Sequence, residues 1–287
     1  MHNLLKSLIL FFTLSLSSLL SFAQKDSAET TSKSTLTLAA IYANNASYYG
    51  QKAAEPTPYV AAAAVYQLKS GLYFTGQSYK LLNDNTSDIS AAALGAGINF
   101  KIGKTLETDL SYSHSFYPSY SPLLQAANAD NASLAFSLDS SWIKPKVTID
   151  YAFGKTNDAF VTAGFSKSIN LFSITSKDIV TIEPAANVVG GTQHFYQTYI
   201  RQKKLHENPL GLGNIPPVFG NPGTTSQTDS VPTTDFNVLS YNFKMPLAYN
   251  RSHYLIQAEY QMSLLSDKVS ANEQINSFLT FSFYYQF

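Results

Sequence analysis

The chain has no cysteine, few charged residues and no long apolar run beyond its first 23 residues. The absence of cysteine excludes disulfide bonds, thiol chemistry and a lipid-modified N-terminal cysteine. Charged residues make up 13% of the chain and the formal net charge is zero, which gives no electrostatic case for binding nucleic acid or an anionic membrane surface. After residue 23, no stretch approaches the roughly 18–20 consecutive apolar residues that a membrane helix needs.

Aromatic residues are abundant in spite of a mean hydropathy close to neutral. Tyrosine and phenylalanine occur 19 times each. A strand of a membrane barrel presents only every second residue to lipid, so its membrane signal lies in alternation and not in long apolar runs. This composition is therefore typical of a membrane barrel.

The first 23 residues have the features of a secretory signal peptide. A short basic start with His2 and Lys6 precedes the apolar stretch LILFFTLSLSSLL, and Ser21 and Ala23 are small residues at positions −3 and −1 of a cleavage site. This order predicts export and cleavage after Ala23. We expect residues 24–33 to form a periplasmic N-terminal tail.

Alternating apolar and polar residues predict many strands in the rest of the chain. In residues 146–153, for example, Val147, Ile149 and Tyr151 share one face, and Lys146 and Asp150 share the other. The pattern predicts an all-β fold, a transmembrane antiparallel up-and-down β-barrel of about twelve strands over residues 34–287. Ten or fourteen strands stay open, depending on whether the segments 34–48 and 131–141 form strands. The predicted strands are 34–48, 57–69, 71–82, 87–101, 105–117, 131–141, 144–154, 158–173, 179–200, 235–246, 252–265 and 275–287.

Short and long connections alternate along the chain, as periplasmic turns and extracellular loops do in outer-membrane barrels. Residues 246–251 are among the predicted short turns. The longest link, 201–234, is rich in glycine and proline and begins with Arg201, Lys203 and Lys204. It is predicted to be extracellular, and could project from the surface, fold inward as a constriction or bind an anionic ligand.

The chain ends in the aromatic strand FLTFSFYYQF, in which Phe283, Tyr285 and Phe287 share one face. This end resembles the C-terminal signature of bacterial outer-membrane β-barrel proteins. The resemblance implies location in the outer membrane of a Gram-negative bacterium, with membrane lipid as its surroundings. It also implies that the last strand is recognised by the barrel-assembly machinery and closes against the first strand.

Strand parity predicts which charges face the lumen. Taking the apolar face of each strand as lipid-facing places a small excess of acidic residues inside, so an open pore should weakly prefer cations. The predicted lumen-lining residues are Glu107, Asp109, Lys146, Asp150, Glu183, Lys244 and Glu259. The leading hypothesis is a porin-like channel or transporter for small polar solutes. The alternatives are a structural or surface-recognition barrel with a filled lumen and, less favoured, a lipid-modifying enzyme.

No convincing catalytic or metal-binding constellation is present in the sequence. His114 lies between Ser113 and Ser115, so both serines point to the face opposite the imidazole, although another strand could supply a partner. The oxygen-rich residues 83–88 could hold calcium but are more simply explained as a tight turn. We therefore expect neither a cofactor nor a metal.

Overall fold

The structure, a computed structural model, describes residues 33–84, 88–119, 121–196, 198, 235–270 and 275–287. The predicted signal peptide, most of the predicted N-terminal tail and the link 201–234, with Arg201, Lys203 and Lys204, lie outside these residues. Within them, fourteen antiparallel strand segments form one sheet. The segments are β1 Thr35–Ala43, β2 Tyr59–Gln67, β3 Leu72–Leu81, β4 Ala91–Ile102, β5 Leu106–Phe116, β6 Asp130–Leu138, β7 Lys144–Phe153, β8 Asn157–Ser166, β9 Ile169–Phe172, β10 Asp178–Ile182, β11 Ala185–Gly191, β12 Asn237–Arg251, β13 Tyr254–Leu265 and β14 Ile275–Gln286.

The sheet closes into a barrel of twelve wall strands. β8 with β9 makes one interrupted wall strand and β10 with β11 makes another, because β8 pairs with β11, β9 with β10, and both β10 and β11 with β12. β1 pairs with both β2 and β14, which closes the ring. The predicted antiparallel barrel of about twelve strands is confirmed.

The outer face of the barrel is apolar. Along β4, Leu94 is 60% exposed, and Ile98 and Phe100 on the same face are also exposed, while Asn99 and Lys101 lie on the other face. The same alternation holds along β14, where Phe281 and Phe283 are exposed and Ser282 is buried. A sheet with an apolar exterior and a polar interior fits a barrel surrounded by lipid.

Among the described residues, no helix is both long enough and apolar enough to cross a bilayer.

Two predictions about β12 are wrong. The predicted turn at 246–251 is part of β12, and the chain turns at residues 252–253. Pro246 is tolerated because it faces the interruption between β10 and β11, where the Glu183 N–H donates to the Pro246 carbonyl. Alternation in the sequence also predicts that Leu239 shares the apolar face of Tyr241. In the structure Leu239 is fully buried, because the register shifts between Val189 and Gly190 and turns it inward.

The two ends of the barrel differ in their connections. Five short connections, each of two to five residues, join the strands at one end, which we call the short-turn end. The connections at the other, long-link end include residues 44–58 and 117–129. Phe287 lies at the short-turn end, where its N–H donates to the Leu36 carbonyl at 2.9 Å and its side chain is 65% exposed.

We predict that Phe287→Asp strongly reduces the amount of folded barrel without reducing synthesis. A charge near the membrane interface costs only about 0–1 kcal/mol, so a large loss would reflect failed recognition of the last strand. The folded fraction is measured from the heat-modifiable band on SDS gels. Phe172→Asp is a matched control, since Phe172 is equally exposed at the same end but lies far from the C-terminus. Equal assembly of both variants would contradict a terminal signal.

Candidate functional site

The seven charged residues predicted to line the lumen all lie on the face opposite the exposed apolar side chains. Strand pairing places them there: Asp109 faces Asn99, Asp150 faces Ser133, and Glu259 faces Pro246. Parity also brings Lys101 and Lys144 to this face, which the sequence analysis did not include. That these residues line a conducting pore stays a prediction.

Most of these charges have partners on neighbouring strands. The Tyr73 hydroxyl crosses β4 and donates to Asp109 at 2.9 Å. Its ring lies over Gly97, where an added Cβ would come within 2.4 Å of the phenol. Glycine at this position therefore makes room for the tyrosine, as expected for small residues inside a strand.

Ion pairs and hydrogen bonds link the other luminal charges. Lys101 lies 3.3 Å from Glu107, and Lys244 lies 3.9 Å from Glu259. Glu183 accepts a hydrogen bond from the Ser166 hydroxyl at 2.7 Å. All of these pairs retain solvent exposure, so each contributes little to stability, about 0–1 kcal/mol.

The link between β1 and β2 folds into the barrel. We call residues 44–58 the luminal hairpin. Its tip is a tight turn in which Tyr48 and Gln51 exchange backbone hydrogen bonds of 2.8 and 3.0 Å. The two central residues have positive φ, 52° at Tyr49 and 86° at Gly50, as a type I′ turn requires. At its base, Thr57 donates to the Asn45 side-chain oxygen from both its N–H and its hydroxyl.

The tyrosines of the hairpin pack into an apolar cluster at the long-link end. Tyr49 stacks on Phe160 with ring centroids 3.8 Å apart, and Tyr48 meets Phe195 edge-on at 4.9 Å. The buried members of this cluster are Leu124, Ala127, Ala152, Phe160, Val189, Phe195, Tyr196, Leu239, Leu265 and Val269. Burial raises the pKa of both Tyr48 and Tyr49, so their hydroxyls stay protonated as hydrogen-bond donors.

One buried carboxylate joins three chain segments at the long-link end. Asp158 on β8 accepts hydrogen bonds from the Asn128 side chain at 2.9 Å and the Thr192 hydroxyl at 2.6 Å. The N–H groups of His194 and Phe195 donate to it at 2.8 and 2.9 Å. The His194 ring lies 3.0 Å away. A buried charge is stable only when it is satisfied in this way.

The short-turn end of the lumen contains a cavity of about 610 Å³, bounded by wall residues whose side chains face the lumen and by two turns. It includes Asn250, Tyr284 and Gln286 from the wall, and Lys177 and Arg251 near the turns. The luminal hairpin and its apolar cluster therefore fill the long-link end of the barrel, while the short-turn end contains the cavity.

His114 has partners that sequence spacing did not identify. Its Nδ1 lies 2.7 Å from Asp130 on β6, and the Tyr112 hydroxyl donates to the same oxygen at 2.5 Å. All three belong to the outer face, whereas Ser113 and Ser115 belong to the luminal face as predicted. The described residues contain no group of three or more histidine and acidic side chains arranged to hold a metal ion.

A closed antiparallel barrel with an apolar exterior, a polar lumen and one end of short turns is an outer-membrane β-barrel, and the protein lies in the outer membrane. Residues 22–142, less than half of the chain, match the family model described as a porin subfamily, so this part of the chain is similar to porins. In such barrels the short turns face the periplasm, and we expect the long-link end to be extracellular. No curated protein sequence matches the chain.

Solved structures of other outer-membrane proteins resemble this barrel only in general architecture. The KdgM porin aligns with 88% of this chain and 99% of its own, at 6% identity and a TM-score of 0.47. LpxR from Salmonella typhimurium covers 88% and 99%, at 9% identity and 0.48. An outer membrane channel from Pseudomonas putida F1 covers 92% and 98%, at 11% identity and 0.46. Likenesses this distant carry no argument about activity.

We predict that Asp158→Ala destabilises the protein by about 3–5 kcal/mol, because it leaves several buried donors without an acceptor. The free energy of unfolding is measured by urea titration of the purified barrel. Limited proteolysis should show earlier cleavage in the extracellular links. Asp139→Ala is the control, since Asp139 is half-exposed in a turn at the short-turn end, where its carboxylate lies 3.5 Å from the Lys144 ammonium group. A loss at Asp158 no larger than that at Asp139 would contradict the role assigned to it.

Proposed function

We propose that the protein is an outer-membrane channel for small polar solutes and that this structure represents its closed form. The observation that carries the proposal is the polar lumen, which contains a cavity of about 610 Å³ at the short-turn end. The luminal hairpin fills the opposite end. It lies outside the paired registers of the wall and is held there mainly by side-chain contacts, so it can leave without breaking the barrel wall.

The filled extracellular half also favours a second candidate, a recognition barrel that never opens. The two candidates differ in what the luminal charges do. In a channel, Lys244 and Glu259 border a water path and bias which ions pass, while in a filled barrel they act only as a structural pair. Conductance distinguishes the two.

A lipid-modifying enzyme is not our proposal. The outer cluster of His114, Asp130 and Tyr112 contains a base and a carboxylate that orients it. The serines beside His114 point into the lumen, away from the imidazole. Nucleophilic catalysis needs a hydroxyl within hydrogen-bond reach of that base, and the phenol of Tyr112 is instead bound to the carboxylate.

We predict that the purified protein conducts ions in planar bilayers with a weak preference for cations, which fades as salt screens the luminal charges. Glu259→Lys should shift the reversal potential in a salt gradient towards anions, because it replaces a luminal carboxylate by an ammonium group beside Lys244. The barrel should stay folded, since the native pair contributes only about 0–1 kcal/mol.

The control for this shift is Lys167→Glu, a charge reversal at an exposed residue over the Trp142 ring. It should leave the reversal potential unchanged. Absence of conductance in both the native protein and Glu259→Lys, together with loss of folded barrel in Glu259→Lys, would overturn the channel proposal in favour of the filled barrel.

A further inference from the structure

One side of the lumen near the long-link end is lined by uncharged polar side chains. We call this surface, formed by β11 to β14, the amide wall. Its members all face the lumen and are buried or nearly so: Asn187, Ser240, Asn242, Gln261, Ser263 and Asn276. Adjacent members hydrogen-bond to one another, as when the Asn242 amide donates to Asn187 at 2.9 Å and the Gln261 amide to Ser263 at 2.8 Å.

The tip of the luminal hairpin lies against the amide wall and accepts hydrogen bonds from it. The Ser240 hydroxyl donates to the Tyr49 carbonyl at 2.8 Å, and the Asn276 amide donates to the Gly50 carbonyl at 3.0 Å. The Gln261 amide approaches the Ser47 hydroxyl at 3.4 Å. The wall therefore donates hydrogen bonds to uncharged oxygen atoms of the hairpin.

Where the hairpin meets the amide wall, some buried polar atoms have no hydrogen-bond partner among the described residues. Beside its tip, the side-chain oxygen of Asn242 and the side-chain nitrogen of Gln51 are buried without a protein partner among the described residues. Asn242 is 3% exposed. An unsatisfied buried polar group lowers the stability of the docked hairpin, and it offers an acceptor to a better-matched occupant.

The surface facing the amide wall adds an aromatic ring and a carboxylate. Tyr49 stacks on the face of Phe160, and its hydroxyl interacts electrostatically with the Asp150 carboxylate. If the hairpin leaves, that ring face and that carboxylate become available to a solute. A flat aromatic face, a carboxylate acceptor and several amides suit a molecule with an apolar ring face and many hydroxyl groups.

We propose that the amide wall, with Phe160 and Asp150, binds a neutral saccharide, and that the luminal hairpin competes with the saccharide for this site. This proposal rests on the channel function and names its class of solute. The site lies directly above the Lys244–Glu259 pair, so a saccharide bound there sits in the path of solute through the barrel. The buried carboxylate of Asp150 disfavours an anionic sugar.

Gly50→Val is the variant that frees the site. An added Cβ at Gly50 would come within 2.6 Å of the Asn242 oxygen and 2.7 Å of the Ser240 hydroxyl, and the residue has φ of +86°. The close contacts and the backbone strain both disfavour the docked hairpin tip, while the residues of the wall are unchanged. Gly103→Val is the matched control, because Gly103 also has positive φ, +66°, with no atom within 4 Å of an added Cβ.

We predict that sucrose binds Gly50→Val at least roughly tenfold more tightly than it binds the native protein or Gly103→Val, because a competing occupant has been removed. Binding is measured by calorimetry in detergent on the heat-modifiable, folded protein. Adding Asn242→Leu and Asn276→Leu to Gly50→Val should weaken binding by roughly tenfold or more, since both amides are lost. Gluconate, an anionic polyol, should not bind.

Conductance of the same variants separates this proposal from the channel function. Sucrose binding without any ionic current would support the site and overturn the channel. Ionic current in Gly50→Val with no sucrose binding, or with binding that the two leucine substitutions do not change, would overturn the site and leave the channel standing. Equal binding by Gly50→Val and Gly103→Val would overturn the competition with the hairpin.

Discussion

The structure depends on one constraint, that every backbone N–H and C=O group inside the membrane must find a partner within the protein. The pairing of β1 with β14 meets this constraint by removing both edges of the sheet. Even the irregular part of the wall obeys it. Pro246 has no N–H to donate, and it lies opposite the only interruption of the β10–β11 wall strand, where Pro184 also lacks one. Each of these prolines removes one N–H donor from the hydrogen-bond ladder. Both lie at the same interruption, so the ladder is broken only once.

Alternation along the strands follows from this closed ladder and explains what could be predicted from sequence. Each strand has one face towards lipid and one towards the lumen, so parity alone assigns residues such as Asp109 and Glu259 to the interior. Parity assigns a residue to the wrong face where the hydrogen-bond ladder is irregular. The shift beside Gly190 turns Leu239 inward, and nothing in the local pattern of residues 237–245 indicates it.

The filling of the lumen at the long-link end could not be predicted, because it depends on contacts between segments that are distant in sequence. Tyr49 meets Phe160, and Gly50 meets Asn276, through separations of more than one hundred residues. The sequence predicts a strand as far as residue 48, although β1 ends at Ala43, and it indicates only a polar link between residues 49 and 56. Asp158 likewise follows a glycine-containing turn and has the usual character of a turn residue. Its role arises only when three segments converge on it.

Two kinds of contact hold the luminal hairpin inside the barrel, apolar packing and hydrogen bonds between neutral groups. Around Tyr48 it is held by apolar packing, in which each buried large side chain contributes about 1.5–3 kcal/mol. At its tip it is held by neutral hydrogen bonds worth about 0.5–1.5 kcal/mol each, beside the unpaired oxygen of Asn242. Apolar residues at the amide wall would hold a permanent plug at least as well. A wall that keeps six polar side chains under a removable turn is better suited to contact a polar solute than to seal the barrel.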